Sequence, residues 1–571
     1  MISAGMDGQI DGLTAQCPNA MNPPSESRVS HLPADTSQDL LDCSLGDLLR
    51  RNAAEVPDRI ALVEGIADAS NRRRWTYREL VDVSERAARG LLEIFVPGER
   101  VAFLAPDKPE WVILQHAVSF AGLVLVPINP AYTARELEFV LNASEASGLI
   151  FAASSRGKNL RTLVDQVRPR LPALRVTIEM EKIDTLLASA NPDRVLPDVK
   201  PGQTLQLQYT SGTTGFPKGA CLHHLGVINT SRNVALRANF PDGGVWLNAM
   251  PMYHIAGDVV AEIGAYSMRG TFVLMPEFDP GLMLELIETE RCIATLIVPT
   301  MILALLDHPD RPTRDCASLK TILSGAANVP AALVRRAQGA LDCQFCIIFG
   351  QTESNGPITL TSPDDSVEDQ TTTVGRPLPH VEVKIVDPAT EVLVRLEAVG
   401  EIWVRGYQTM TGYFGQAEAS ALTMRPDGWL RTGDLGTMDG RGYLKITGRL
   451  KDMIIRGGMK LYPKEIEDVL FDHPDVSQIS VLGVPDDKWG EIVAAVILPK
   501  DVHRPPSVDR LFQHCRENLS PQKTPELWFF VEKYPMTSTG KIQKSELTQL
   551  IAGKHIQPVD WARPRARPST T

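Results

Sequence analysis

From Ser44 onward, segments with the apolar spacing of helices alternate with short apolar runs of strand length, and this alternation limits the chain to few architectures. Thr76-Tyr-Arg-Glu79 is a capping box opening an amphipathic helix that continues to about residue 92. Residues 100–104 read as a strand, 109–121 as a helix and 123–127 as another strand. Thr133-Ala-Arg-Glu136 caps the next helix, and 148–152 is again a strand. A second series runs through 246–251, 271–275, 294–298, 321–324 and 345–349. Strand–helix–strand repetition implies parallel sheets with helices packed on their faces.

From 381 to 405 the pattern changes to clean alternation, as in Glu382-Val-Lys-Ile-Val-Asp387 and Gly400-Glu-Ile-Trp-Val-Arg405, which predicts antiparallel strands with one wet face. The charged stretch Gly448-Arg-Leu-Lys-Asp452 between two apolar segments is a candidate hinge. The expected fold is α/β: a large N-terminal domain of stacked βαβ sheets plus a small β subdomain, hinged to a small, mobile α+β C-terminal domain. The boundaries are a disordered extension over 1–44, rich in Ser, Pro, Asn, Asp and Gly, a domain over 45–448 with its β subdomain at 381–448, a hinge at 449–452, a C-terminal domain at 453–555 and a tail at 556–571.

The densest chemistry lies in Tyr209-Thr-Ser-Gly-Thr-Thr-Gly-Phe-Pro-Lys-Gly-Ala220. Gly212 and Gly215 let the backbone turn sharply and bring its N–H groups near an anion. Thr210, Ser211, Thr213 and Thr214 add hydroxyl donors and Lys218 a mobile positive charge, a combination suited to a polyphosphate. The ordinary P-loop has glycine before the lysine and Ser/Thr after it; here Pro217 and Gly219 flank Lys218, and the segment after it reads as a strand. The stretch resembles the phosphate-loop motif of the adenylate-forming superfamily, which includes acyl-CoA synthetases, peptide-synthetase adenylation domains and luciferases.

The resemblance is sustained from about residue 44 to 547, and within the family the chain is most similar to medium-chain fatty-acyl-CoA synthetases, through Phe278-Asp-Pro-Gly-Leu-Met-Leu-Glu-Leu-Ile287 and Val298-Pro-Thr-Met301. It implies that His254, in Met250-Pro-Met-Tyr-His-Ile-Ala-Gly257, closes the acyl pocket, and that Ile255, Ala256 and Val259 line it. A carboxylate that would hold an amino acid's ammonium is missing at Ile255, and an unpaired ammonium there would be expensive, so an apolar acid is expected. Phe349-Gly-Gln-Thr-Glu-Ser354 is similar to the motif that holds AMP and magnesium: Phe349, Gly350 and Gln351 lie against the nucleotide, Thr352 bonds the α-phosphate and Glu353 reaches Mg²⁺. Gly325 and Ala326 end the preceding strand and wall the adenine site. Asp434 is implied as the ribose acceptor, Arg449 as a ribose or phosphate ligand and Lys451 as the hinge pivot. Gly457 and Gly458 resemble the turn that lines the pantetheine tunnel of CoA, and Lys541, in Pro535-Met-Thr-Ser-Thr-Gly-Lys-Ile542, resembles the catalytic lysine.

The resemblance therefore implies an acid–thiol ligase that uses ATP, Mg²⁺ and CoA and acts on a medium- or long-chain fatty acid. An aryl-CoA ligase and an acyl-AMP ligase serving a carrier protein stay open as alternatives. A catalytically silent adenylate-binding protein is the remote one, since Lys541, Glu353, Asp434 and the phosphate loop are all intact. The net charge of −11 argues against nucleic acid as a partner, so anionic substrates must be met by local clusters. The pair in Cys343-Gln-Phe-Cys346 has no second pair and reads as buried strand cysteines. With sparse cysteines, no signal-peptide pattern and no apolar stretch long enough to span a bilayer, a cytoplasmic protein with at most peripheral membrane contact is expected.

Overall fold

The computed structural model describes residues 29–210, 217–325, 329–536 and 542–561. Among the described residues, the strands of the N-terminal domain form three main sheets. One has six strands in the order Lys218–His223, Thr204–Thr210, Val124–Ile128, Arg100–Leu104, Gly148–Phe151 and Val176–Glu179. It is parallel except for its first pair. A nine-stranded sheet carries the parallel run Gln344–Gln351, Thr321–Gly325, Ala294–Leu296, Val245–Asn248, Thr271–Leu274 and Ile60–Glu64, with antiparallel strands at both edges.

The helices Pro109–Phe120 and His224–Arg237 touch both of these sheets and form the layer between them. Every residue of Pro109–Phe120 except Glu110 is buried, which follows from having a sheet on each side. The capping boxes at Thr76–Glu79 and Thr133–Glu136 are formed as the sequence predicts. Helices Pro280–Thr289, Pro299–Leu306 and Ala331–Leu341 cover the other face of the nine-stranded sheet through a second apolar core. Cys343 and Cys346 are buried beside and within the strand Gln344–Gln351.

The antiparallel subdomain comprises Val381–Val386, Gly400–Gly406, Leu430–Met438 and Leu444–Arg449, and it gains an edge strand from an unexpected place. Residues 29–44, read from composition as part of a disordered extension, are ordered. His31–Leu32 pairs antiparallel with Val381–Val386, and Asn229 both donates to the Leu41 carbonyl and accepts from the Leu41 N–H. Composition misleads here because the segment borrows its hydrogen bonds and burial from the domain rather than from a core of its own. Residues 1–28 lie outside the described residues.

A short 3₁₀ turn, Leu450–Asp452, leads from the subdomain into the C-terminal module and carries the exposed Lys451. The module's strands Ile454–Arg456, Met459–Leu461, Val476–Asp486, Gly490–Pro499 and Leu527–Phe530 form one sheet packed by helices Pro463–Phe471, Val508–Asn518 and Lys544–Ala552. Part of the expected tail belongs to this module. Val559 N–H donates to the Trp528 carbonyl, and the Trp561 indole donates to Asp509 while its ring meets Phe512 and Trp528. An aromatic residue with a matching groove docks whatever the composition around it.

Candidate active site

The strand Thr204–Thr210 pairs antiparallel with Lys218–His223, and Thr210 stands opposite Lys218. This register brings the two ends of the glycine-rich segment side by side. Ser211, Gly212, Thr213, Thr214 and Gly215 themselves lie outside the described residues. The segment 410–414 runs along Lys218–His223: Cys221 N–H donates to the Gly412 carbonyl and Phe414 N–H to that of Gly219.

The second component comes from the strand Gln344–Gln351. Gly350 sits where that strand bulges against Gly356–Leu360, and a Cβ on it would lie 2.3 Å from the Gly356 carbonyl oxygen. The 3₁₀ turn Thr352–Ser354 follows at once, with Asn355 in the left-handed region at φ 50°, so Thr352 and Glu353 are thrown off the carboxyl end of the strand. Ligands in parallel α/β sheets bind at such ends. Next to it, Gly325 closes the strand Thr321–Gly325; a Cβ there would come within 2.2 Å of the Ile348 carbonyl oxygen, so only glycine fits. Ala326 lies outside the described residues.

The two components meet. Thr210 Oγ1 donates to Glu353 Oε1 at 3.4 Å, across 143 residues of sequence. Tyr413 Oη donates to the same oxygen at 2.8 Å, and Met410 N–H donates to the Glu353 carbonyl at 2.8 Å. Lys218 Nζ stands 5.1 Å from the centre of the Tyr413 ring. Burial, reinforced by the adjacent Glu353, lifts the Tyr413 phenol far above its ordinary range, so it stays a donor. Tyr413 was missed in the sequence reading; Thr411-Gly-Tyr-Phe414 offers only a glycine followed by two aromatics.

Glu353 with two hydroxyls around it is an oxygen-donor set of the kind Mg²⁺ takes. Among the described residues no cluster of three metal-ligating side chains occurs. Mg²⁺ is commonly bound through one or two carboxylates together with the phosphates of its substrate.

The residues that the resemblance assigns to an acyl pocket form a second group. His254 begins a turn in which its Nδ1 accepts the Ala256 N–H at 3.2 Å, and a π-helical segment, Ala256–Ala261, follows. Ile255 and Val259 are buried and Ala256 partly so. A Cβ on Gly257 would lie 2.5 Å from the Pro251 carbonyl oxygen, so the turn is tight enough to demand glycine. Gln208, two residues before Thr210, donates to the Tyr253 carbonyl at 2.9 Å and ties this turn to the strand that ends at the phosphate loop.

Asp434 and Arg449 stand opposite each other on neighbouring antiparallel strands and form an ion pair at 3.0 Å, with Asp434 buried and Arg449 half exposed. Arg449 is thus the last residue of the N-terminal sheet and immediately precedes the Lys451 turn. In the C-terminal module, Gly457 (φ 54°) and Gly458 (φ 82°) make the turn between Ile454–Arg456 and Met459–Leu461. Lys541 lies outside the described residues.

Residues 49–414 match the family described as AMP-binding enzyme, and residues 465–541 match the AMP-binding enzyme C-terminal domain. YngI of Bacillus subtilis (strain 168) is 36% identical over 543 residues, covering 90% of this chain and 97% of that protein. Human mitochondrial medium-chain acyl-CoA ligase ACSF2 is 32% identical over 555 residues, covering 91% and 89% respectively. Among solved structures, the anthranilate CoA ligase AuaEII in complex with anthranoyl-AMP superposes with a TM-score of 0.81 at 25% identity, over 91% of this chain and 99% of that one. Fold, motifs and relatives agree: the chain belongs to the AMP-binding enzyme family. It is an adenylate-forming enzyme of the acyl-CoA synthetase type, an acid–thiol ligase that uses ATP.

Proposed function

We propose that the chain activates an aliphatic carboxylic acid of medium or greater length and transfers it to the thiol of CoA. One observation carries the reading: Thr210 and Lys218, at the two ends of the glycine-rich segment, meet Glu353 and Tyr413 at the carboxyl edge of the sheets. An acyl carboxylate and a nucleotide α-phosphate repel each other, so the protein must fix their geometry and supply positive charge and donors. A carboxylate oxygen attacks the α-phosphorus, the bond to the bridging oxygen breaks, and pyrophosphate leaves with the bond's electrons. Lys218 and the hydroxyls of 210–214 hold the leaving group, Lys541 bridges carboxylate and α-phosphate, and Asp434 accepts from the ribose hydroxyls. Mg²⁺ at Glu353, when bound, supplies charge neutralisation to the phosphates.

In the second step the thiol sulfur attacks the acyl carbonyl, AMP departs and the thiol proton passes to solvent. Rotation about Lys451 would exchange Lys541 for the Gly457–Gly458 turn, one hinge serving two chemistries. Buried Ile255 and Val259 support an apolar acid, as does the medium-chain name of the human relative.

The test is Lys541→Ala. ATP–pyrophosphate exchange should fall by 10² or more, the loss seen when one preorganised donor is removed, while supplied acyl-adenylate plus CoA still gives thioester. Intact exchange would remove Lys541 from the first step. A panel of alkyl and aryl acids, scored by AMP release, then decides between the aliphatic and aryl readings.

A further inference from the structure

The turn that presents Asp434 is built on an irregularity of the β subdomain. Along the antiparallel pair Gly400–Gly406 and Leu430–Met438, Glu401 faces Leu435 and Trp403 faces Arg431. A single residue, Ile402, therefore stands opposite three, Thr432, Gly433 and Asp434. Such a bulge leaves backbone groups without ladder partners and re-aims the side chain beside them. Gly433 lies in the left-handed region at φ 70°, so the chain turns sharply just before Asp434.

Side chains take over the bonds that the ladder loses. Thr432 Oγ1 donates to the Ile402 carbonyl at 2.7 Å and accepts the Asp434 N–H at 3.1 Å. The Gly433 N–H goes to Glu401 Oε1 at 3.2 Å. The other oxygen of Glu401 accepts from the Trp403 indole at 2.9 Å and pairs with the Arg431 guanidinium at 3.1 Å. With its side chain 2% exposed, this carboxylate is held by three donors, one of which belongs to the bulge. Its orientation is fixed in turn by Trp403, a buried ring with Lys384 Nζ at 4.8 Å and the Arg431 guanidinium at 5.4 Å from its centre.

We infer that Glu401 is a positioning residue for the nucleotide: by holding the Gly433 N–H it fixes the backbone from which Asp434 reaches the ribose hydroxyls. The inference rests on the role proposed above for Asp434 and adds a residue that acts through it. A carboxylate that only stabilises the subdomain would be indifferent to which nucleotide is bound. One that aims Asp434 affects recognition of the ribose hydroxyls and leaves the acid alone.

The experiment compares ATP, 2′-deoxy-ATP and 3′-deoxy-ATP in pyrophosphate exchange, with an acid that supports the reaction held at saturation. The wild-type protein should prefer ATP over at least one deoxy nucleotide by about tenfold or more in kcat/KM, because a site that bonds a hydroxyl rejects the analogue lacking it. Glu401→Ala should cut that preference to about threefold or less and raise KM for ATP, with KM for the acid unchanged. Glu401→Gln keeps one acceptor oxygen but turns an NH₂ group toward donors, so its preference should fall between the two. Equal slowing of all three nucleotides by Glu401→Ala, with the preference intact, overturns the inference. If Glu401→Ala does not fold, a Glu401→Gln protein with the full wild-type preference overturns it alone. A wild-type protein that treats the three nucleotides alike removes the ribose role of Asp434 and this inference together. A preference that Asp434→Ala abolishes and both Glu401 variants leave untouched removes this inference only.

Discussion

Tyr413 shows how a single hydroxyl can couple two distant motifs. It donates to the Glu353 oxygen that also receives Thr210, and its ring lies beneath Lys218. Tyr413→Phe keeps the ring and removes the donor, leaving Glu353 less fixed relative to the phosphate loop. Adenylation should slow by roughly tenfold, equivalent to ~1.4 kcal/mol of barrier, with little change in the thermal midpoint. A variant as fast as the wild-type protein in pyrophosphate exchange would show that Glu353 is held without it.

At this scale some positions could be singled out by their motifs alone. Thr210, Lys218 and Glu353 were legible because their glycine and hydroxyl neighbours have few other uses, and the structure brings them together. Tyr413 was not. Its place comes from Glu353 and Lys218, partners remote in sequence, and a lone tyrosine carries no spacing signal.

Among the elements, the hairpin bearing Gly457 and Gly458 is braced from one side. Gly457 N–H donates to the Trp489 carbonyl at 2.7 Å, and a Cβ on Gly457 would lie 3.0 Å from the Trp489 ring. Ile455 N–H donates to Glu491 at 2.6 Å, and the Arg456 guanidinium lies over Trp489 at 5.4 Å. Trp489, 40% exposed, is therefore a brace for the turn and not a core residue. Trp489→Ala should leave pyrophosphate exchange near its original rate and slow thioester formation from supplied acyl-adenylate by several-fold. Equal loss in both half-reactions would mean that the module as a whole is disturbed.

The helix Tyr77–Leu92 was readable because a capping box marks its start, and Val381–Val386 because one of its faces alternates with the other. The π-helical segment Ala256–Ala261 was not, because its wider turn answers to packing around Gly257 and to buried hydrogen bonds, neither of which leaves a periodic trace. The edge strand His31–Leu32 escaped for a similar reason: two residues show no alternation.

For the molecule as a whole, buried acids set the response of stability to pH. Burial, opposed by a hydrogen bond from Met252 and the charge of Arg156, raises the Asp107 carboxyl from 3.8 to about 8, and Asp258 and Glu262 are raised as well. Between about pH 7.5 and 8 the unfolded chain has already released these protons while the folded chain retains them in large part. The buried histidines His116 and His224, pulled down to about 3, are neutral in both states by then. Rising pH through this window therefore drains stability, by at most ~1.4 kcal/mol per unit for each group. The thermal midpoint should fall from pH 7.5 to 8, above the range in which the unfolded histidines titrate, and Asp107→Asn, which can still accept from Met252, should flatten part of that slope. A midpoint that climbs over the same range would contradict the burial of these protons.

The short strand His31–Leu32 has a bearing on how the protein survives at high concentration. It occupies the outer side of Val381–Val386, a run whose free N–H and C=O groups would otherwise be a template for another chain. A protein trimmed at residue 44, although both family matches lie beyond that point, would expose that template. It should self-associate with rising concentration in light scattering, whereas the full-length chain stays dispersed. Those few leading residues act as a guard against sticking.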